Sequence, residues 1–197
     1  MLQLLNKFKN VRNVENECGW FLTNTPSEGP LAYLNVVLKP ASPHVRTFAI
    51  AELHIPDPLE EFYTSYNGCM LFRGLLAIYG TLPTSGYLIN RSSSLGQLSY
   101  DLYQANAELR TATIDLLMFA RYNGDERTHV LIERDSGQVL AYSGGARRDS
   151  LRATWPTFDE WLASEIHRLL AFFNEVGNCS ADLATLVPGA GKSSPVN

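Results

Sequence analysis

The stretch 55–68, IPDPLEEFYTSYNG, constrains the fold most, because it writes a short helix together with both of its ends. Asp57 can accept a bond from a free amide at the start, and Pro58 suits the first helical position. Glu60, three residues after Asp57, completes a capping-box spacing. Leu59, Phe62, Tyr63 and Tyr66 recur at i, i+3, i+4 and i+7, so they share one face. Asn67-Gly68 stops the helix, since glycine enters the left-handed terminal conformation at little cost. The apolar run 70–79 follows at once and reads as a single buried strand.

At 197 residues, with 45% hydrophobic and 18% charged residues, the chain suits one domain with a substantial core. Its net charge of −4 argues against nucleic acid as a direct ligand, because phosphate binding needs clustered Lys and Arg. A mildly acidic surface is compatible with a basic protein partner. Cys18, Cys69 and Cys179 form no CxxC pair, which fits a reduced, cytoplasmic protein. Leu2, Leu4, Leu5 and Phe8 are interrupted by Lys7 and Lys9, so the start is not a secretory signal, and no run is long enough to span a membrane.

Along the chain, residues 1–12 read as a short amphipathic helix, and 20–23 and 31–38 as strands around a turn-rich segment at 26–30. Ser42-Pro43 opens a helix whose apolar face is Val45, Phe48, Ala49 and Leu53, stopped by Ile55-Pro56. A polar loop over 80–97 precedes a helix over 98–110. Strands over 116–120, 128–134 and 138–142 then follow, with turn residues at Asn123-Gly124 and at Asp135, Ser136 and Gly137. Thr157 and Glu160 repeat the capping-box spacing before a broad stripe of Phe158, Trp161, Leu162, Ile166, Leu169, Leu170 and Phe173. The expected fold is α+β: a central, mainly antiparallel sheet of about five or six strands with helices on one side. Residues 1–177 form the domain, and 178–197 a flexible tail.

Motifs for chemistry are sparse. Gly189-Ala190-Gly191-Lys192-Ser193 lacks the earlier glycine of a phosphate loop, which would fall at Leu186. His44, His54, His129 and His167 have no ligand-spaced His or Cys neighbour, so no metal is indicated. No G-x-S-x-G elbow is present. Glu60-Glu61 and Asp159-Glu160 sit in first helical turns, where the macrodipole already accounts for them. Arg147, Arg148 and Arg152 read as a solvated loop before Trp155. No catalytic residue and no cofactor emerges.

The wording of several segments resembles the SUKH superfamily, which includes fungal Smi/Knr cell-wall-synthesis regulators and many bacterial immunity proteins. The similar elements are the Ile55-Pro56 pair, the aromatic helix ending in Tyr66-Asn67-Gly68, and the apolar strand after it. Leu117-Met118-Phe119-Ala120, Asn123-Gly124-Asp125, Val130-Leu131-Ile132, Gly137-Gln138-Val139 and Phe158-Asp159-Glu160-Trp161-Leu162 continue the pattern. The resemblance covers roughly 42–173 and leaves the first forty residues unexplained. Gly68-Cys69 stands where many members carry two adjacent glycines.

The resemblance implies a non-enzymatic protein-binding module, in bacteria an immunity protein that occludes the active face of a cognate toxin, such as a nuclease with a basic cleft. Candidate contacts are the acidic Asp57, Glu60, Glu61, Asp101, Asp125 and Glu126, with Tyr100 and Tyr103 as aromatic anchors. Each is equally a solvated surface residue. A regulatory scaffold of the Smi/Knr type and a hydrolase with an unrecognised site remain open as alternatives. The partner, its contact face and the oligomeric state are not written in the chain.

Overall fold

The computed structural model describes residues 12–15, 19–23, 33–81, 102–107, 115–123, 127–143, 151–173 and 179–188. Nine strands form one sheet whose order repeats the chain order, every neighbouring pair antiparallel. They are β1 (Arg12–Glu15), β2 (Gly19–Thr23), β3 (Tyr33–Leu38), β4 (Cys69–Leu71), β5 (Leu76–Ile78), β6 (Leu116–Asn123), β7 (Arg127–Glu133), β8 (Val139–Ser143) and β9 (Leu151–Trp155). Helices α1 (Pro43–Leu53) and α2 (Asp57–Ser65) fall between β3 and β4, the short α3 (Leu102–Asn106) between β5 and β6, and α4 (Phe158–Leu170) after β9. The α+β class is the one expected.

The sheet is wider than the five or six strands expected, for three reasons. The run 70–79 is two strands, because residues 72–75 turn the chain back; Phe72 and Leu75 are themselves buried, so the turn signal is confined to Arg73-Gly74 inside an apolar run. The basic segment before Trp155, read as loop, includes the outermost strand β9, and Arg152 lies within it. At the other margin β1 precedes the expected β2 and pairs with it. The expected helix over 1–12 lies almost wholly outside the described residues, as do the 26–30 turn and most of the 80–97 loop.

One cross-strand row shows how the sheet meets its helices: Val37, Cys69, Ile78, Ala120, Val130 and Ala141 lie opposite one another in register. All six are buried. Phe119 packs edge-on to Trp161 at 4.9 Å, and Phe158 stands 5.5 Å from Phe62 on α2, joining α4 to the first helix pair. The stripe expected on α4 is therefore the roof of the main core. Leu131, Leu140 and Tyr142 alternate to the other face of the sheet, where Leu116 and Met118 pack with them.

Asn67 and Gly68 form the joint between helices and sheet. Leu38 and Asn67 exchange backbone bonds with residues across the joint, Leu38 N–H to Gly68 and Asn67 N–H to Leu38. The buried Asn67 side chain accepts from both the N–H and the hydroxyl of Thr81, at 2.8 and 2.6 Å. On β6, the edge beyond the end of β5 is closed by Asn106 of α3, whose amide receives from Met118 N–H and donates to Met118 C=O, each at 2.8 Å. A side chain thus stands in for a strand. Of the tail expected from 178, residues 179–188 are described and seated on the core: Cys179 bridges Phe173, and Leu186 is buried.

Candidate functional site

Three of the six acidic residues singled out from sequence, Asp57, Glu60 and Glu61, lie in the first turns of α2, after the corner between α1 and α2. The corner forms because Pro56 cannot continue α1. His54 turns left-handed at φ 50°, and its N–H still reaches Ile50 C=O. Arg134, from the turn after β7, grips this helix end. Its guanidinium donates to Leu53 C=O at 3.2 Å, to His54 C=O at 3.2 Å and to Leu116 C=O at 2.8 Å. A cation at a helix carboxyl end also suits the macrodipole. The end of α1 is thereby fixed to the sheet.

The start of α2 differs from expectation by one residue. Pro56 is the cap, Asp57 the first helical residue, and no side chain caps the end; Leu59 and Glu60 N–H groups donate to Pro56 C=O at 3.0 Å. Freed from capping, Asp57 and Glu61 are exposed one turn apart, while Glu60 is half-buried. Leu59, Phe62 and Tyr63 point into the core, as expected.

On α1 the structure corrects the expected apolar face. Ala49 and Leu53 are buried and Val45 half-buried, but Phe48 is 60% exposed. It is offset by about 100° from Ala49 on the helix wheel, outside the narrow buried stripe. His44, Phe48 and Glu52, at i, i+4 and i+8, make the outward face of α1. The helix pair thus exposes one large aromatic on α1 together with the carboxylates of Glu52 on α1 and of Asp57 and Glu61 on α2.

The other candidates divide. Tyr103 is half-buried and packs against the main core, which employs its ring in the fold. Tyr100, Asp101, Asp125 and Glu126 lie outside the described residues.

One group of ionisable side chains went unnoticed in the sequence. Tyr122 of β6 donates to the buried Glu165 at 2.7 Å, and Arg168 donates to both Glu165 oxygens and, at 2.7 Å, to Leu186 C=O. Burial, then the Glu165 carboxylate, pushes the Tyr122 hydroxyl well above its ordinary range. Burial opposes the charge of Arg168, yet Glu165 outweighs it and holds the guanidinium protonated. Every member is bonded, so the network ties α4, β6 and the 179–188 segment together and leaves no activated nucleophile. Burial likewise pushes the Cys69 thiol up to about 12, which makes it inert. Only the three-residue spacing of Glu165 and Arg168 on one helix face hinted at this pair.

Among the described residues no group of three His, Cys, Asp or Glu side chains is placed to hold a metal ion. No helix among them is long and apolar enough to cross a membrane. The family model described as SMI1 / KNR4 family (SUKH-1) matches residues 50–164, more than half of the chain. No curated protein matches it.

Proposed function

Because the chain belongs to the SMI1 / KNR4 family (SUKH-1), we propose that it is a non-enzymatic binding module that neutralises a bacterial toxin by covering its active face. The observation that carries this reading is what α1 and α2 expose: Phe48, at 60% exposure, one turn from exposed Glu52 on α1, and exposed Asp57 and Glu61 on α2. An aromatic side chain is the usual energetic anchor of a protein interface, while carboxylates around it steer a basic partner and select against acidic ones. The described ionisable groups in the interior serve the fold. A toxin with a cationic active cleft, such as a nuclease, complements this surface. A complex of ordinary size would bury about 1,600 Å² in total.

The test is direct binding to the effector encoded beside this gene, with and without salt. The expected complex is tight, associates faster at low ionic strength, and protects cells that make the effector. Phe48→Ala should weaken it by roughly 30-fold or more, the effect of an anchor worth about 2 kcal/mol. Asp57→Lys with Glu61→Lys should slow association chiefly. A protein that neither binds that effector nor protects against it is no immunity protein. Several weak partners in place of one tight one would favour the scaffold reading.

A further inference from the structure

The turn that joins β4 to β5 is wound against the preference of its own residues. Phe72, Arg73 and Gly74 follow one another at φ 55°, 57° and 81°. Only glycine enters that region without crowding between its Cβ and the following carbonyl. Hairpin turns that need two such residues are ordinarily written Asn-Gly or Asp-Gly. Here Phe72 and Arg73 take those places, closed by Gly74 N–H to Leu71 C=O and Leu75 N–H to Phe72 C=O, each at 3.1 Å.

For Phe72 the fold supplies a compensation. Its ring is wholly buried 5.1 Å from Phe173, and its N–H donates to the Asn35 side chain at 2.9 Å. Asn123 secures the far side, donating from its side chain to Gly74 C=O at 2.5 Å and from its N–H to Leu75 C=O at 2.8 Å. For Arg73 there is none. It is exposed, and its side chain has no hydrogen bond, ion pair or ring contact among the described residues. A long cation thus sits at the apex of a left-handed turn whose backbone is pinned from both sides. Local strain persists only where the surroundings over-determine it, and it gathers at ligand clamps.

We infer that Arg73 is a partner-binding residue, which takes a carboxylate of an acidic protein segment in a two-pronged guanidinium contact. The planar fork of donors matches a carboxylate, and a backbone already fixed lowers the ordering cost of making the contact. A single cation on a chain of net charge −4 does not suit nucleic acid, which needs many. This contact is separate from the α1–α2 surface and does not depend on the toxin reading. Helix α4 runs from Phe158 beside Phe62 to its end near Phe173 beside Phe72, so a helix length of about 20 Å divides the two places.

The probe is a decaglutamate peptide titrated into the isotope-labelled full chain, with Arg73→Asn and Arg73→Lys as variants. Expected are shifts confined to the amides of residues 72–75 and the Arg73 side chain. They should vanish in Arg73→Asn, weaken several-fold in Arg73→Lys, and fade by about 0.3 M salt. The melting temperature of Arg73→Asn should equal the parent's or exceed it by about 1–3 °C, because Asn tolerates the left-handed region. Absent shifts, or shifts that persist in Arg73→Asn or bypass Arg73, overturn the proposal. So does a drop of several degrees in that variant, which would mark Arg73 as a servant of the fold.

Discussion

Gly68 illustrates how much of the fold rests on single atoms. At φ 91°, a Cβ there would stand 2.7 Å from Ile78 C=O and 3.0 Å from Gly80 N. Gly68→Ala is therefore expected to cost about 3 kcal/mol or more, read as a lower urea midpoint at unchanged slope. The sequence marked this glycine as a helix stop; its close approach to β5 depends on a neighbour ten residues away and was not legible. The buried hydroxyls and thiol have a consequence in pH. Tyr63, bonded to Tyr79 C=O at 2.8 Å, is raised above its ordinary 10.0 by burial, and Cys69 above 9.0. As pH rises through those unfolded-state values, the unfolded chain gives up protons that the folded chain keeps. Stability is then full at neutral pH and falls on the alkaline side. Tyr63→Phe should reduce that fall by about 1.4 kcal/mol in total between pH 9 and 11, measured by urea unfolding.

At the scale of elements, the two capping-box spacings had different fates. Thr157 accepts from Glu160 N–H at 3.2 Å, as its spacing implied. Asp57 does not cap, because Pro56 already occupies the extended cap position one residue earlier. Thr157→Ala should therefore cost about 1 kcal/mol in thermal unfolding, and Asp57→Ala no more than about 0.5. The periodic stripes of α2 and α4 were readable because burial is what spaces them. The edge strand β9 was not, because Arg152 and Thr154 look like loop residues until β8 is found beside them. Of the surface on α1 and α2, the carboxylates were legible as charges in a first turn. Phe48 was not, since helical spacing places a residue on a wheel without saying how wide the buried stripe is.

For the whole molecule, the 179–188 segment is an integral part of the core at one end. Removing residues 179–197 takes away Leu186, which is 2% exposed, and the carbonyl that Arg168 holds. The expected loss is about 3–5 kcal/mol, seen in equilibrium unfolding of the shortened chain. If stability is unchanged, the contacts of Arg168 and Leu186 have no thermodynamic weight.

The sheet order has a further consequence. Strands laid down in the order of synthesis never need threading between existing neighbours, so a hairpin can be gained or shed at either margin while the middle keeps its registration. Strands β1 to β3 lie outside the matched stretch 50–164, and within the sheet they join the rest through β3 against β4. Such a molecule is a ribbon with open selvages: lineages sharing its centre are free to diverge in width, and the outermost strands are where each can acquire new habits.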